Sequence, residues 1–77
     1  MKLHNHAEPI LWTAKTGGYP SDPPYVGKVI AKLTDNTYHP YVVWSMSSQN
    51  GDEWHCIQGD YCETLADARA IFSERRI

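Results

Sequence analysis

Several features that would narrow the reading are missing from this 77-residue chain. Seven Lys and Arg against nine Asp and Glu leave a formal charge of −2 and a pI near 6.0. There is thus no cationic field for nucleic-acid phosphates and no strongly acidic one that would mimic DNA. No apolar run approaches the roughly 18 residues of a membrane span, and the start lacks the charged and apolar halves of a signal peptide. A soluble, cytoplasmic protein with no membrane partner is expected. Phosphate-binding loop, dinucleotide fingerprint, serine nucleophile elbow and zinc-protease helix are all absent, as are internal repeats, low-complexity tracts and an interdomain linker. What remains is one small domain over residues 1–77, which at this size buries only about 60% of the surface its unfolded chain exposes. So small a core makes a target protein or a second copy a natural source of further burial.

Cysteine is scarce too: only Cys56 and Cys62 occur. With His55 adjacent and His39 on a neighbouring strand they invite a zinc site, but a C-x5-C pair lacks the short knuckle spacing and no second pair is present. The favoured reading is two free thiols serving as small hydrophobes in a sheet. A Cys56–Cys62 disulfide would need a fold-back around Gly59. A Cys nucleophile with a His base would need a cleft, an orienting group and oxyanion donors, which a small sheet with one helix rarely supplies. No catalytic residue, metal or cofactor is assigned. A zinc-binding module and a Cys/His-dependent enzyme remain as alternatives.

What is present specifies architecture. Tyr41-Val42-Val43-Trp44 follows Pro40 as a strand of residues suited to a pleated, half-buried surface. The polar stretch 45–53 carries Asn50-Gly51-Asp52, which tolerate φ > 0 at a hairpin bend. Trp54 to Cys62 is a second strand, in which Gly59 marks a bulge or a close backbone approach. Thr64 and Asp67 form a capping box that opens a helix. Leu65, Ala68, Ile71 and Phe72 give this helix one apolar face, and Arg75 and Arg76 complement its negative end.

Upstream, residues 1–7 carry His4 and His6 with little pattern and are expected to be flexible. Ile10 to Ala14 is a first strand. Thr16 to Pro24 is an irregular loop rich in Gly and Pro. Val26 to Thr34 alternates, with Val26, Lys28 and Ile30 on one face and Gly27, Val29, Ala31 and Leu33 on the other. A tight turn at Asp35-Asn36-Thr37 leads into a strand over Tyr38 to Met46. The fold class is α+β, an antiparallel meander of three to four strands with one C-terminal helix packed on one face.

The aromatic residues carry the functional expectation. At least two of Trp12, Trp44 and Trp54 are expected in the core under the helix. Tyr38 and Trp44 share one parity and Tyr41 the other, so aromatic surface points away from the helix. That face is exposed, paired with a second copy or bound to a partner. A structureless loop near ten residues is more often functional than a mere connector, and Tyr19 and Tyr25 at its ends are amphipathic contact residues. Tyr19, Asp22, Tyr25, Tyr38 and Tyr41 are the candidate partner-binding residues. Single-stranded nucleic acid is an alternative ligand for an aromatic face, although Lys28 and Lys32 alone make a poor phosphate track.

Tyr41-Val42-Val43-Trp44, Asn50-Gly51, Gly59-Asp60-Tyr61-Cys62, Thr64-Leu65-Ala66-Asp67-Ala68 and Phe72 to Arg75 together resemble a strand-turn-strand-helix module of small bacterial and phage proteins of uncharacterised function. Cys62 stands where such sequences often have an aromatic residue. The module brings no catalytic residue with it. With the small size and the lack of catalytic motifs, it is similar to phage or mobile-element inhibitors of host defence such as anti-CRISPR proteins. That likeness implies a non-enzymatic module binding a host protein.

Overall fold

The computed structural model describes residues 1–35 and 38–77. Its strands are β1 (Lys2–Leu3), β2 (Glu8–Thr16), β3 (Tyr25–Lys32), β4 (Tyr41–Ser48) and β5 (Glu53–Cys62), followed by the helix α1 (Leu65–Glu74). They form one sheet in the order β1-β5-β4-β3-β2. β2 to β5 run as an antiparallel meander, but β1 joins β5 in parallel. The expected antiparallel sheet of three to four strands is therefore replaced by a mixed, five-stranded one, curled into a half-barrel.

Residues 1–7 account for the fifth strand. Leu3 pairs with Trp54 and is 1% exposed, so this segment contributes to the core where the pattern of its sequence promises only a flexible lead-in. Two residues are too few for period-two alternation to be legible. The first hairpin strand is also longer than Ile10–Ala14, and β4 begins at Tyr41 with Tyr38 outside it. The turn expected at Asp35-Asn36-Thr37 falls partly outside the described residues.

The curl follows from two irregularities. On β2 the register shifts between Pro9 and Leu11. On β5 it shifts where Trp44 faces the Gln58–Gly59 stretch, and Gln58 takes φ 55°. An extra residue in one strand bends it and raises its twist. Gly59 also serves close approach, since a Cβ there would lie 2.7 Å from the Trp44 indole Nε1.

The two faces of the sheet hold separate cores. On the outer face α1 lays Leu65, Ala68, Ile71 and Phe72 over Ile30, Val43, Cys62 and Tyr41. On the concave face Leu3, Val29, Ala31, Val42, Trp44, Met46 and Trp54 pack on one another. Trp44 and Trp54 are buried as expected, but inside the curl and not under the helix. A ten-residue helix covers one face only, so the large indoles go to the face that must close on itself.

Local chemistry fixes the helix. The Thr64 side chain accepts from the Asp67 N–H at 3.1 Å. At the other end Lys28 Nζ, reaching up from β3, donates to the carbonyls of Phe72 (2.6 Å) and Arg75 (2.9 Å) and sits 4.5 Å from the Phe72 ring centroid. Lys28 thus satisfies helix-end carbonyls that would otherwise lack partners. Arg75, expected to complement the helix end with its charge, instead extends its side chain to the sheet. It donates to the Gln58 carbonyl (2.7 Å), the Ser45 hydroxyl (3.2 Å) and the Asp60 carboxylate. Among the described residues no helix is long and apolar enough to cross a membrane.

Truncating Leu3 to Ala should cost about 2 to 5 kcal/mol in urea unfolding; a change near zero would mean that β1 is not part of the cooperative core. Gly59→Ala should cost about 1 to 3 kcal/mol by forcing the Trp44 indole off its seat, measured in the same way.

Candidate functional site

The half-barrel is not closed at the β2 side. Ladder pairing places Trp12, Val29 and Trp44 in one cross-strand row, and Ala14, Gly27 and Met46 in the next. Val29, Trp44 and Met46 are buried by neighbours on both sides. Trp12, on the last strand, has no strand beyond it among the described residues and is 47% exposed. Beside it opens a groove of about 670 Å³, walled by Trp12, Tyr25 and Trp54 with Lys15, Thr16 and the Asn50-Gly51 bend at its margin.

Each margin is held by its own hydrogen bonds. Ser48, buried at the end of β4, accepts from the N–H groups of Asn50 (3.3 Å) and Gly51 (2.8 Å). The Asn50 side-chain oxygen accepts from Asp52 (2.9 Å) and Glu53 (3.0 Å). Gly51 takes φ +80° and its open α-carbon passes over the Tyr25 ring, to which an added Cβ would come within 3.5 Å. The 17–24 loop is likewise built. One Asp22 carboxylate oxygen accepts from the N–H groups of Gly18 and Tyr19, both at 3.0 Å, and the Asp22 N–H donates to the Tyr19 carbonyl at 2.9 Å. Asp22 holds the turn that presents Tyr19, whose side chain is 75% exposed.

The five residues chosen from sequence do not converge. Tyr25 lines the groove, and Tyr19 and Asp22 sit in the loop joining β2 to β3. Tyr41 lies at the far end of β3 and β4, opposite Lys32, roughly 23 Å away at 3.3 Å per residue. There it packs with the helix face. Tyr38 is exposed at that same far end. Trp12 and Trp54 complete the groove; of the three tryptophans, at least two of them expected in the core, Trp44 and Trp54 are buried and Trp12 is left outside. The signal that could have singled out Trp12 is its place on the first long strand, which a meander leaves at an edge.

The cysteine and histidine candidates are separated by the same topology. Cys56 lies against the concave core and Cys62 within the helix-side core, and both are free thiols. Burial pushes the Cys56 thiol up to about 11. The Cys62 thiol is also raised, first by burial and then by the Asp67 and Asp60 carboxylates. Both therefore stay protonated at neutral pH, the opposite of an activated nucleophile. His55 turns away from Cys56 to meet His4 edge-on, with ring centroids 5.7 Å apart. His39 lies 4.0 Å from the Glu63 carboxylate. Among the described residues no three His, Cys, Asp or Glu side chains are placed to hold a metal ion.

No protein-family model, curated protein or solved structure matches this chain. The site is accordingly read from its own geometry.

At pH 8 a small alkylating reagent should modify Cys56 at least about thirtyfold more slowly in the folded protein than in denaturant, because burial, which lifts the thiol from 9.0 to about 11, leaves roughly a hundredfold less thiolate. Equal rates would show that burial does not control this thiol.

Proposed function

We propose that the chain is a non-enzymatic, cytoplasmic protein-binding module that holds its target in the groove between Trp12, Tyr25 and Trp54, with the 17–24 loop as one lip. One observation carries the reading: Trp12 and Tyr25 remain 47% and 37% exposed beside a groove whose walls stand on paired strands. Aromatic side chains on rigid elements offer large contact area at low entropic cost and are enriched at interface centres. Little ordering is left for the binding step to supply.

The apolar walls of the groove, more than its charges, point to the kind of target. Among the described residues no carboxylate lines it, and of its two basic residues Lys15 turns its side chain to the opposite, helix-side face of β2 while the Met1 ammonium lies 4.0 Å from the Asp52 carboxylate. A segment that brings an apolar or aromatic side chain suits walls of this kind. Single-stranded nucleic acid would find rings to stack on, but the described lining of the groove offers its phosphates no row of cations. Relative to the five residues chosen from sequence, this reading keeps Tyr19, Asp22 and Tyr25, adds Trp12 and Trp54, and leaves out Tyr38 and Tyr41. The narrower reading, a phage or mobile-element inhibitor of a host defence protein, draws on the small size and on the module resembled by residues 41–75. In that case the target is a component of a defence complex.

The test is quantitative affinity capture from bacterial lysate with the wild type and a folded Trp12→Ala/Tyr25→Ala variant side by side. A protein held stoichiometrically by the wild type and depleted at least about tenfold by the variant is the expected result. Identical capture by both would sink the groove as the binding surface.

A further inference from the structure

We propose that a second copy of this chain pairs with β2, edge to edge and antiparallel, about a two-fold axis at Trp12. This goes beyond the binding of a target and concerns the open side of the sheet itself. β2 has β3 on one side and, among the described residues, no strand on the other. Its apolar residues are exposed on both faces: Leu11 on the helix side is 39% exposed and Trp12 on the concave side 47%, with Ile10 at the bulge between Pro9 and Leu11 38% exposed. A long edge in this state is a template for another strand.

The bulge makes that template self-complementary. Because Ile10 is the extra residue, Glu8, Leu11, Thr13 and Lys15 share the helix-side face of the ladder, opposite Lys32, Ile30, Lys28 and Val26. Pro9, Trp12, Ala14 and Thr16 share the concave face, opposite Ala31, Val29, Gly27 and Tyr25. Without the extra residue Glu8 and Lys15 would fall on opposite faces. A two-fold axis perpendicular to the sheet requires paired residues to lie on the same face. Centred on Trp12, that operation sets Trp12 against the partner's Trp12, Leu11 against the partner's Thr13, Pro9 against the partner's Ala14 and Glu8 against the partner's Lys15. The charge pair occurs twice.

Alternative registers lose this match. Centring on Leu11 puts Glu8 opposite the partner's Thr13, and centring on Thr13 puts Lys15 opposite the partner's Leu11. Neither forms a charge pair. Pro9 and the bulge, which discourage a regular strand of arbitrary sequence from adding, interrupt the Trp12-centred ladder only near its two ends. The dimer would continue the sheet through both copies and bring the two grooves together over the paired Trp12 rings.

Sedimentation velocity from ~1 to ~500 μM tests the assignment by charge exchange. The wild type should dimerise in this range. Glu8→Lys and Lys15→Glu should each weaken the dimer about tenfold or more, and the E8K/K15E double variant should return to within about threefold of the wild type. A wild type that stays monomeric, single reversals without effect, or a double variant that fails to recover would each overturn it. Circular dichroism confirms that the variants are folded. Should Glu8→Lys unfold because Lys32 lies opposite it, Lys15→Glu and Trp12→Glu carry the test. Lys15 has Val26 opposite, and Trp12→Glu would set two carboxylates against each other on the axis, so both must give monomers.

Discussion

A sheet has two faces, and among the described residues one helix of ten residues is there to cover them; most of the architecture follows from that shortage. The helix buries one face. The other can leave water only by bending until its own side chains meet, which is why Trp44 and Trp54 sit in the curl with Leu3 of the edge strand β1 packed in the same cluster. Bending costs backbone regularity, and the two bulges supply it: one on β2, and one on β5 where Gln58 accepts a positive φ and Gly59 leaves room for the indole. Removing either irregularity would flatten the sheet and put large aromatic area back into water. At roughly 25 cal/mol per Å² and 150 to 250 Å² per ring, each re-exposed indole is worth several kcal/mol, a large fraction of the stability of a domain this small.

The same shortage explains where the open surface lies. Curling closes a sheet progressively, and the strand with no further neighbour is the last to be covered. β2 is that strand, so it keeps Leu11 exposed on one face and Trp12 on the other although both are large and apolar. The opposite edge is managed differently. There β1 is only two residues long, and it docks Leu3 beside Trp54 in parallel register. One edge is short and filled; the other is long and unfilled, with a proline, a bulge and a lysine along it.

Much of this was legible in the residues, and the parts that were not share a cause. The alternation of Val26 to Ala31, the Asn50-Gly51 bend, the Thr64 cap and the Leu65, Ala68, Ile71, Phe72 face are local patterns, and the structure places each as its pattern indicates. Gly59 likewise marks a bulge and a close approach. Long-range pairing is a different matter. No period in residues 1–7 could reveal that Leu3 lies against Trp54, because the partner is some fifty positions away in the chain. Curvature was hidden for the same reason: a bulge at Ile10 looks in sequence like one more residue of a regular strand. The tyrosines show the consequence for the site. Tyr25 and Tyr41 differ little as residues, yet one lines the groove and the other packs under the helix at the far end.

Lys28 and Arg75 show how the helix side is made rigid enough for the concave side to carry a site. Each would read as a solvated charge, yet Lys28 is half-buried and bonded to two helix-end carbonyls, while Arg75 spans from the helix end to β4 and β5. Arg75 donates to the carbonyl of Gln58, the residue with positive φ in the β5 bulge. The cap of the helix and the bend of the sheet are therefore joined by one side chain, and the bulge that seats Trp44 on one face is braced from the other. Coupling of this kind fixes the strands beneath the aromatic groove from the helix side: α1 packs on β3, β4 and β5, while β2, at the margin of the sheet, lies beyond its main contacts.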